Sequence, residues 1–142
     1  MTFNVQVTGV THEELVNLFS TAFYGNENMG AHYDRHELDQ IPEDKREGNC
    51  FEDFLADMIL NGKSIQVTDY LAEGEVYGDL PSHPAEYDDE FIVYDVTLED
   101  ILQGLSSGVN FQMMQEIQSG EGDMFTAWGL IQRIVFGEEI YG

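Results

Sequence analysis

The stretch FIVYDVTLEDILQGL, residues 91–105, decides the fold because it places a strand and a helix in immediate succession. Residues 91–94 are apolar or aromatic, which is typical of a short buried strand. Thr97 then stands at the position of a helix N-cap. The apolar side chains that follow recur at helical spacing, at Leu98, Ile101, Leu102 and Leu105.

The same order of elements is found near the N-terminus. Phe3, Val5 and Val7 alternate with polar residues, which predicts a strand with one buried face. Thr11 and Glu14 then have the spacing of a capping box, in which each side chain binds the other's backbone N–H. Two strand-to-helix units therefore share one capping pattern, although one short match does not establish a duplication.

Three more helices are predicted from apolar spacing. Residues 51–59 carry apolar side chains at i, i+3, i+4, i+7 and i+8, and Asn61-Gly62 closes that helix before a short strand at residues 64–68. A fourth helix follows Gly108. A fifth, within residues 124–135, is apolar nearly all round, so we expect it to be central.

The resulting order, βααββααα, predicts an α+β fold in a single acidic domain, residues 1–142. We expect a small sheet of about three short strands packed by about four to five helices. The length of 142 residues and the 42% of apolar residues suit one core. Residues 25–50 are polar, mix both charge signs and lack a period, which predicts a long loop or an insertion.

Cysteine usage and hydropathy indicate a cytoplasmic protein. The single Cys50 excludes an internal disulfide framework and a thiolate metal cluster, and we expect it to be buried or inert. The N-terminus has no basic stretch followed by an apolar region, and no apolar run approaches the length of a membrane span. We therefore predict no membrane contact.

Charge is the dominant property of the sequence. The 28 Asp and Glu against 5 Lys and Arg give a formal net charge of −23. Spread over a surface of about 7,400 Å², this is one charge per about 320 Å², against about 110 Å² for duplex DNA. Residues 69–100, however, contain eleven acids and no Lys or Arg. That local density could approach the density of a nucleic acid.

Residues 73–90 carry the densest acid, and their Gly and Pro content predicts a solvated loop. Tyrosines interleaved with acid could dock on a basic surface, because aromatic anchors supply affinity that exposed charge alone does not. Alternatively, the tyrosines cover edges of the core and the acids only face water. Asp79, Asp88, Asp89 and Glu90 could bind calcium, but their spacing does not match a calcium-binding loop, which favours weak, nonspecific binding of divalent ions. The predicted partner-binding residues are Glu73, Glu75, Tyr77, Asp79, Glu86, Tyr87, Asp88, Asp89 and Glu90.

No motif for catalysis or for a cofactor is recognisable. His32 and His36, at i and i+4, would share a helical face as metal ligands, but the Glu of a zincin motif is missing. Two surface histidines in a polar loop are the favoured interpretation. His83 has no nucleophile to pair with, and Gly120–Asp123 lacks the Lys of a phosphate loop. We predict no metal, no cofactor and no enzymatic activity.

The run TAWGLIQRIVFGEEIYG, residues 126–142, resembles the closing segment of a family of small acidic proteins from bacteriophages and integrated elements. Asn61-Gly62 and the run VTLEDILQGL, residues 96–105, resemble the middle of that family. No settled activity attaches to the family. The resemblance implies a mobile-element origin, where very acidic small proteins often block host nucleases and restriction or CRISPR complexes by occupying their nucleic-acid channels.

These observations predict a non-enzymatic inhibitor of a host defence or nucleic-acid-binding protein, of the anti-CRISPR or anti-restriction type, in the host cytoplasm. Its partner would be a basic protein bound through a face that mimics nucleic acid, with no direct binding of nucleic acid. The alternative is a small-nucleotide sponge or a protein-binding regulatory module, although five cations make an anion site harder to build. The apolar last helix could also pair two copies as a homodimer.

Overall fold

The computed structural model describes residues 7–71, the backbone of residues 84–87, and residues 92–141. Six α-helices, four strands and one 3-10 turn lie in this part of the chain, which confirms the predicted α+β fold. In chain order they are α1 His12–Phe23, β1 Met29–His32, α2 Arg35–Asp39, the 3-10 turn Glu43–Lys45, α3 Phe51–Leu60, β2 Ile65–Asp69, β3 Pro84–Tyr87, β4 Ile92–Val96, α4 Leu98–Leu105, α5 Gly108–Ser119 and α6 Met124–Phe136.

The four strands form one antiparallel sheet in the order β1-β2-β4-β3. β2 and β4 are the central pair, with Val67 opposite Tyr94. Every second residue of β4 is buried, which is the alternation expected when one face of a sheet covers the core. The buried strand residues at this face include Ile65, Val67, Ile92, Tyr94 and Val96.

Two of the strands lie where loops were predicted. β1 falls inside residues 25–50 and pairs with β2 along its four residues. Its sequence, MGAH, has no strand pattern of its own, so the pairing partner decides its conformation. β3 falls inside residues 73–90 and pairs with β4. The predicted strand at residues 3–7 lies, apart from Val7, outside the described residues.

Both predicted capping boxes are confirmed. The Glu14 backbone N–H donates to Thr11 Oγ1 over 3.1 Å, and the Thr11 N–H donates to Glu14 Oε1 over 2.8 Å. At α4 the Asp100 backbone N–H donates to Thr97 Oγ1 over 3.3 Å, and the Thr97 backbone N–H donates to Asp100 Oδ2 over 2.9 Å. These caps satisfy backbone donors that the first helical turn leaves free.

α6 is the central helix, as predicted. Nine of its thirteen residues are buried, and α1, α4 and α5 all pack against it. The Phe136 ring meets Tyr94 of the sheet edge-on, with 5.4 Å between centroids, and the Trp128 indole N–H donates to the Met29 sulfur over 2.9 Å. Most of the apolar surface that motivated the homodimer prediction is therefore covered within the chain, although Phe125 in the first turn is 65% exposed, and dimerisation stays a prediction.

The absence of a side chain at Gly104 allows α4 to pack closely on α6. A Cβ at this position would lie 2.8 Å from Ile134 Cγ1 and 3.3 Å from Ile134 Cα. Because the backbone of a packed helix cannot retreat freely, we expect Gly104→Val to lower the free energy of unfolding by about 2 kcal/mol in urea denaturation. Gly9→Val is the control, since nothing lies within 4 Å of a Cβ there. Equal stability of the two variants would contradict this close packing.

Candidate functional site

The charges are separated along the chain. Arg35, Lys45, Arg46 and Lys63 are four of the five cations, and residues 64–132 contain fourteen acids and no Lys or Arg. Three sheet strands and two whole helices therefore belong to a stretch without positive side chains. The formal charge of residues 64–132 is therefore strongly negative.

The acidic segment, residues 73–90, contributes residues 84–87 to the edge of the sheet as β3. β3 is the last strand in the sheet order, and β4 is its neighbour there, with Glu86 opposite Val93 and Tyr87 opposite Ile92. The prediction that residues 73–90 form only a loop is therefore wrong for residues 84–87. Two of the nine predicted partner-binding residues, Glu86 and Tyr87, lie on this edge strand. The other seven, Glu73, Glu75, Tyr77, Asp79, Asp88, Asp89 and Glu90, lie outside the described residues.

Three acids of residues 69–100 have structural roles. Asp69 is buried and accepts from the Tyr141 hydroxyl over 2.7 Å and from the Leu71 backbone N–H over 2.9 Å. Asp95 accepts from the Gln66 side-chain amide over 2.8 Å, and Asp100 closes the α4 capping box. These carboxylates contribute to the fold, so the charge available to a partner is smaller than the eleven acids suggest.

The paired-histidine hypothesis is contradicted. His32 ends β1, whereas His36 belongs to α2, so the two do not share the face of one helix. The Asp34 side chain separates them by capping α2, accepting from the backbone N–H groups of His36 and Glu37. His32 Nε2 instead lies 3.4 Å from the Tyr70 hydroxyl. Among the described residues, neither histidine belongs to a group of three ligands spaced for a metal.

A polar cleft of about 620 Å³ lies between α2, the 3-10 turn and the start of α3. Two arginines line it, and their ion pairs are loose: Arg35 lies 3.3 Å from exposed Asp39, and Arg46 lies 4.0 Å from Glu43. The volume suits a small ligand. The sequence did not predict this cleft, although the four cations within residues 35–63 were a signal for it. Its lining residues are Arg35, Glu43, Arg46, Glu47, Gly48, Asn49 and Phe54.

Cys50 is exposed at the N-cap of α3, so the expectation of a buried thiol is wrong, while the alternative of an exposed but inert thiol stays a prediction. Its backbone N–H donates to Asp53 Oδ2 over 3.1 Å. Gly48 precedes it and packs so closely on Asp53 that any Cβ would overlap the carboxylate. The loop of residues 46–50 is therefore pressed onto the first turn of α3.

Comparisons with protein-family models, with curated proteins and with solved structures found no match to this chain. Among the described residues, no helix combines the length and the apolar character needed to cross a bilayer.

Proposed function

We propose that this chain is a non-enzymatic inhibitor of phage or mobile-element origin that binds a basic, nucleic-acid-binding host protein and occupies its nucleic-acid channel. The observation that carries the proposal is that residues 84–87, within the acidic stretch 73–90, form the edge strand β3. Glu86 belongs to that strand, and Asp88 follows it directly in the sequence. A hydrogen-bonded strand loses less conformational entropy on binding than an unstructured segment does.

Electrostatics supports a basic partner over a neutral one. A net charge of −23, with no cation in residues 64–132, repels nucleic acid and accelerates encounter with a positively charged channel. The interaction should weaken steeply with ionic strength, because binding releases counterions from the channel. In the sequence Tyr87 stands between Glu86 and Asp88, and an aromatic residue among acids is the kind of anchor that gives affinity beyond charge.

The proposal is tested by capture from host extract on immobilised protein at about 50 mM salt, followed by elution with duplex DNA or with about 500 mM salt. We expect the retained proteins to bind nucleic acid and to be released by both eluents. A retained protein that neither DNA nor salt displaces would contradict mimicry, because a mimic must compete with the polymer for the same channel. DNA binding by the chain itself would contradict it too.

The cleft lined by Arg35 and Arg46 supports a second candidate, a nucleotide sponge. Two guanidinium groups in one cavity are the donors that phosphate prefers, and their loose pairing with Asp39 and Glu43 leaves them available. If this candidate is right, we expect mass spectrometry of the denatured protein to detect a released nucleotide. The double variant Arg35→Gln, Arg46→Gln should carry no nucleotide. Protein that carries no nucleotide and binds none added would eliminate this candidate.

A further inference from the structure

One histidine and three carboxylates meet where α1 packs against α3. His12 is the first residue of α1, Asp53 and Asp57 are one turn apart on α3, and Glu47 lies in the loop pressed onto that helix. His12 Nε2 lies 3.3 Å from Asp57 Oδ1 and 3.7 Å from Asp53 Oδ1. Polar side chains from three parts of the chain, His12, Glu47 and Asp57, therefore come together at the edge of the core, with Asp53 next to His12.

The spacing of these atoms suits one metal ion. One ligand atom each from His12, Glu47 and Asp57 lie within 4.8 Å of one another. Ligands held about 2.0–2.2 Å from a common Zn²⁺ are separated from one another by roughly 3–4 Å, so small side-chain adjustments would bring all three onto an ion. In the described part of the chain, no second group of His, Cys, Asp and Glu has this spacing.

Two polar atoms in the cluster have no hydrogen-bond partner. His12 Nε2 and Asp57 Oδ2 are both buried without one, and the Asp57 side chain is only 1% exposed. Asp57 Oδ1 accepts from the Glu47 backbone N–H over 3.1 Å, which holds the carboxylate in place without satisfying its second oxygen. Burial raises the pKa of the Asp57 carboxyl, partly opposed by the Glu47 N–H and by His12. A buried carboxylate oxygen without a hydrogen-bond donor is costly, and a cation bound at Asp57 Oδ2 would remove that cost.

We propose that His12, Glu47 and Asp57 form a binding site for a divalent transition-metal ion of the Zn²⁺ type, with Asp53 beside it. An imidazole together with carboxylates favours such an ion over Mg²⁺ or Ca²⁺, which prefer oxygen ligands alone. Glu47 also lines the cleft, so the ion is reached from solvent on that side. Bound metal would fasten the loop of residues 46–50 to both α1 and α3.

The test is titration of the chelator-stripped protein with Zn²⁺ in calorimetry, alone and with Mg²⁺ or Ca²⁺ in excess. We expect each chain to bind one Zn²⁺ tightly, and we expect excess Mg²⁺ not to displace that Zn²⁺. At Zn²⁺ about 100-fold above its Kd, the Tm should rise by about 5–10 °C. Co²⁺ should give the d–d absorption bands of a site that includes a nitrogen ligand.

Asp57→Asn and His12→Gln should each weaken Zn²⁺ binding by at least about 100-fold. The double variant His36→Gln, Asp39→Asn is the matched control. It removes one imidazole and one carboxylate, as the two test variants do between them, but from exposed positions on α2. The metal-free Asp57→Asn protein should keep its Tm, because the amide fills the same volume without a buried charge, so lost binding would not reflect unfolding. The proposed site would be wrong if the chain bound several Zn²⁺ ions weakly, or if the control variant lost Zn²⁺ affinity as much as the two test variants. A metal-free His12–Asp57 ion pair would then explain the cluster.

Discussion

Replacing Asp88, Asp89 and Glu90 with Asn, Asn and Gln is expected to weaken the complex with the captured basic protein by about 100-fold. The three acids follow the edge strand β3 directly in sequence. A desolvated contact between a carboxylate and a cationic channel contributes about 1 kcal/mol or more to the binding free energy. Losing three such contacts raises Kd by about two factors of ten. The association rate should fall less than the affinity, because twenty of the twenty-three net charges remain to steer the encounter.

A second triple variant shows whether binding depends on where the acids lie or only on the net charge of the chain. Glu27, Glu121 and Glu138 are exposed, lie outside the acidic segment, and give the same net charge when all three are changed to Gln. We expect this control to keep its affinity within about threefold at a fixed salt concentration, since these acids do not belong to the proposed surface and an exposed charge more than about 10 Å from the partner is screened. Equal weakening by both triples would show that net charge alone drives binding and would contradict residues 73–90 as the partner-binding surface.

The features predicted correctly from the sequence depend on local rules. The capping boxes at Thr11 and Thr97 need only a side chain and the next helical turn, so a four-residue motif specifies them. The central position of α6 follows from its composition, because a helix that is apolar nearly all round must be enclosed. Charge separation is likewise a property of the sequence itself.

The features that were missed depend on contacts between distant segments. β1 has no strand pattern in MGAH and exists because β2 offers it a hydrogen-bonding edge. His12 and Asp57 lie 45 positions apart and meet only because α1 packs on α3. The i, i+4 spacing of His32 and His36 would put both on one face of a helix, but they belong to different elements, and Asp34 was the available signal, since an N-cap residue there starts a new element between the two histidines.

Changing the buried Gln132 to Leu is expected to release the C-terminal residues and lower the free energy of unfolding by about 3 kcal/mol. Gln132 Oε1 accepts from the backbone N–H groups of Ile140 and Tyr141 over 2.9 and 2.8 Å, and its amide donates to the Tyr141 carbonyl over 3.3 Å. Leucine keeps the volume but leaves partly buried backbone groups without these partners, at about 1–3 kcal/mol each when water cannot replace them. The Tm should fall by about 10 °C.

Trp128 is the sole tryptophan and reports on this release directly. The Tyr141 ring stacks on it with 6.3 Å between centroids and 15° between planes, and Trp128 is only 5% exposed. In Gln132→Leu we expect red-shifted emission and stronger quenching by acrylamide under conditions where the helices remain folded. Gln103→Leu, at an exposed position of α4, is the control and should change neither signal. Lower stability with unchanged quenching would place the damage inside α6, because the stacked tyrosine would still shield the indole. Loss of shielding together with loss of stability would show that Gln132 holds the C-terminal residues against the core.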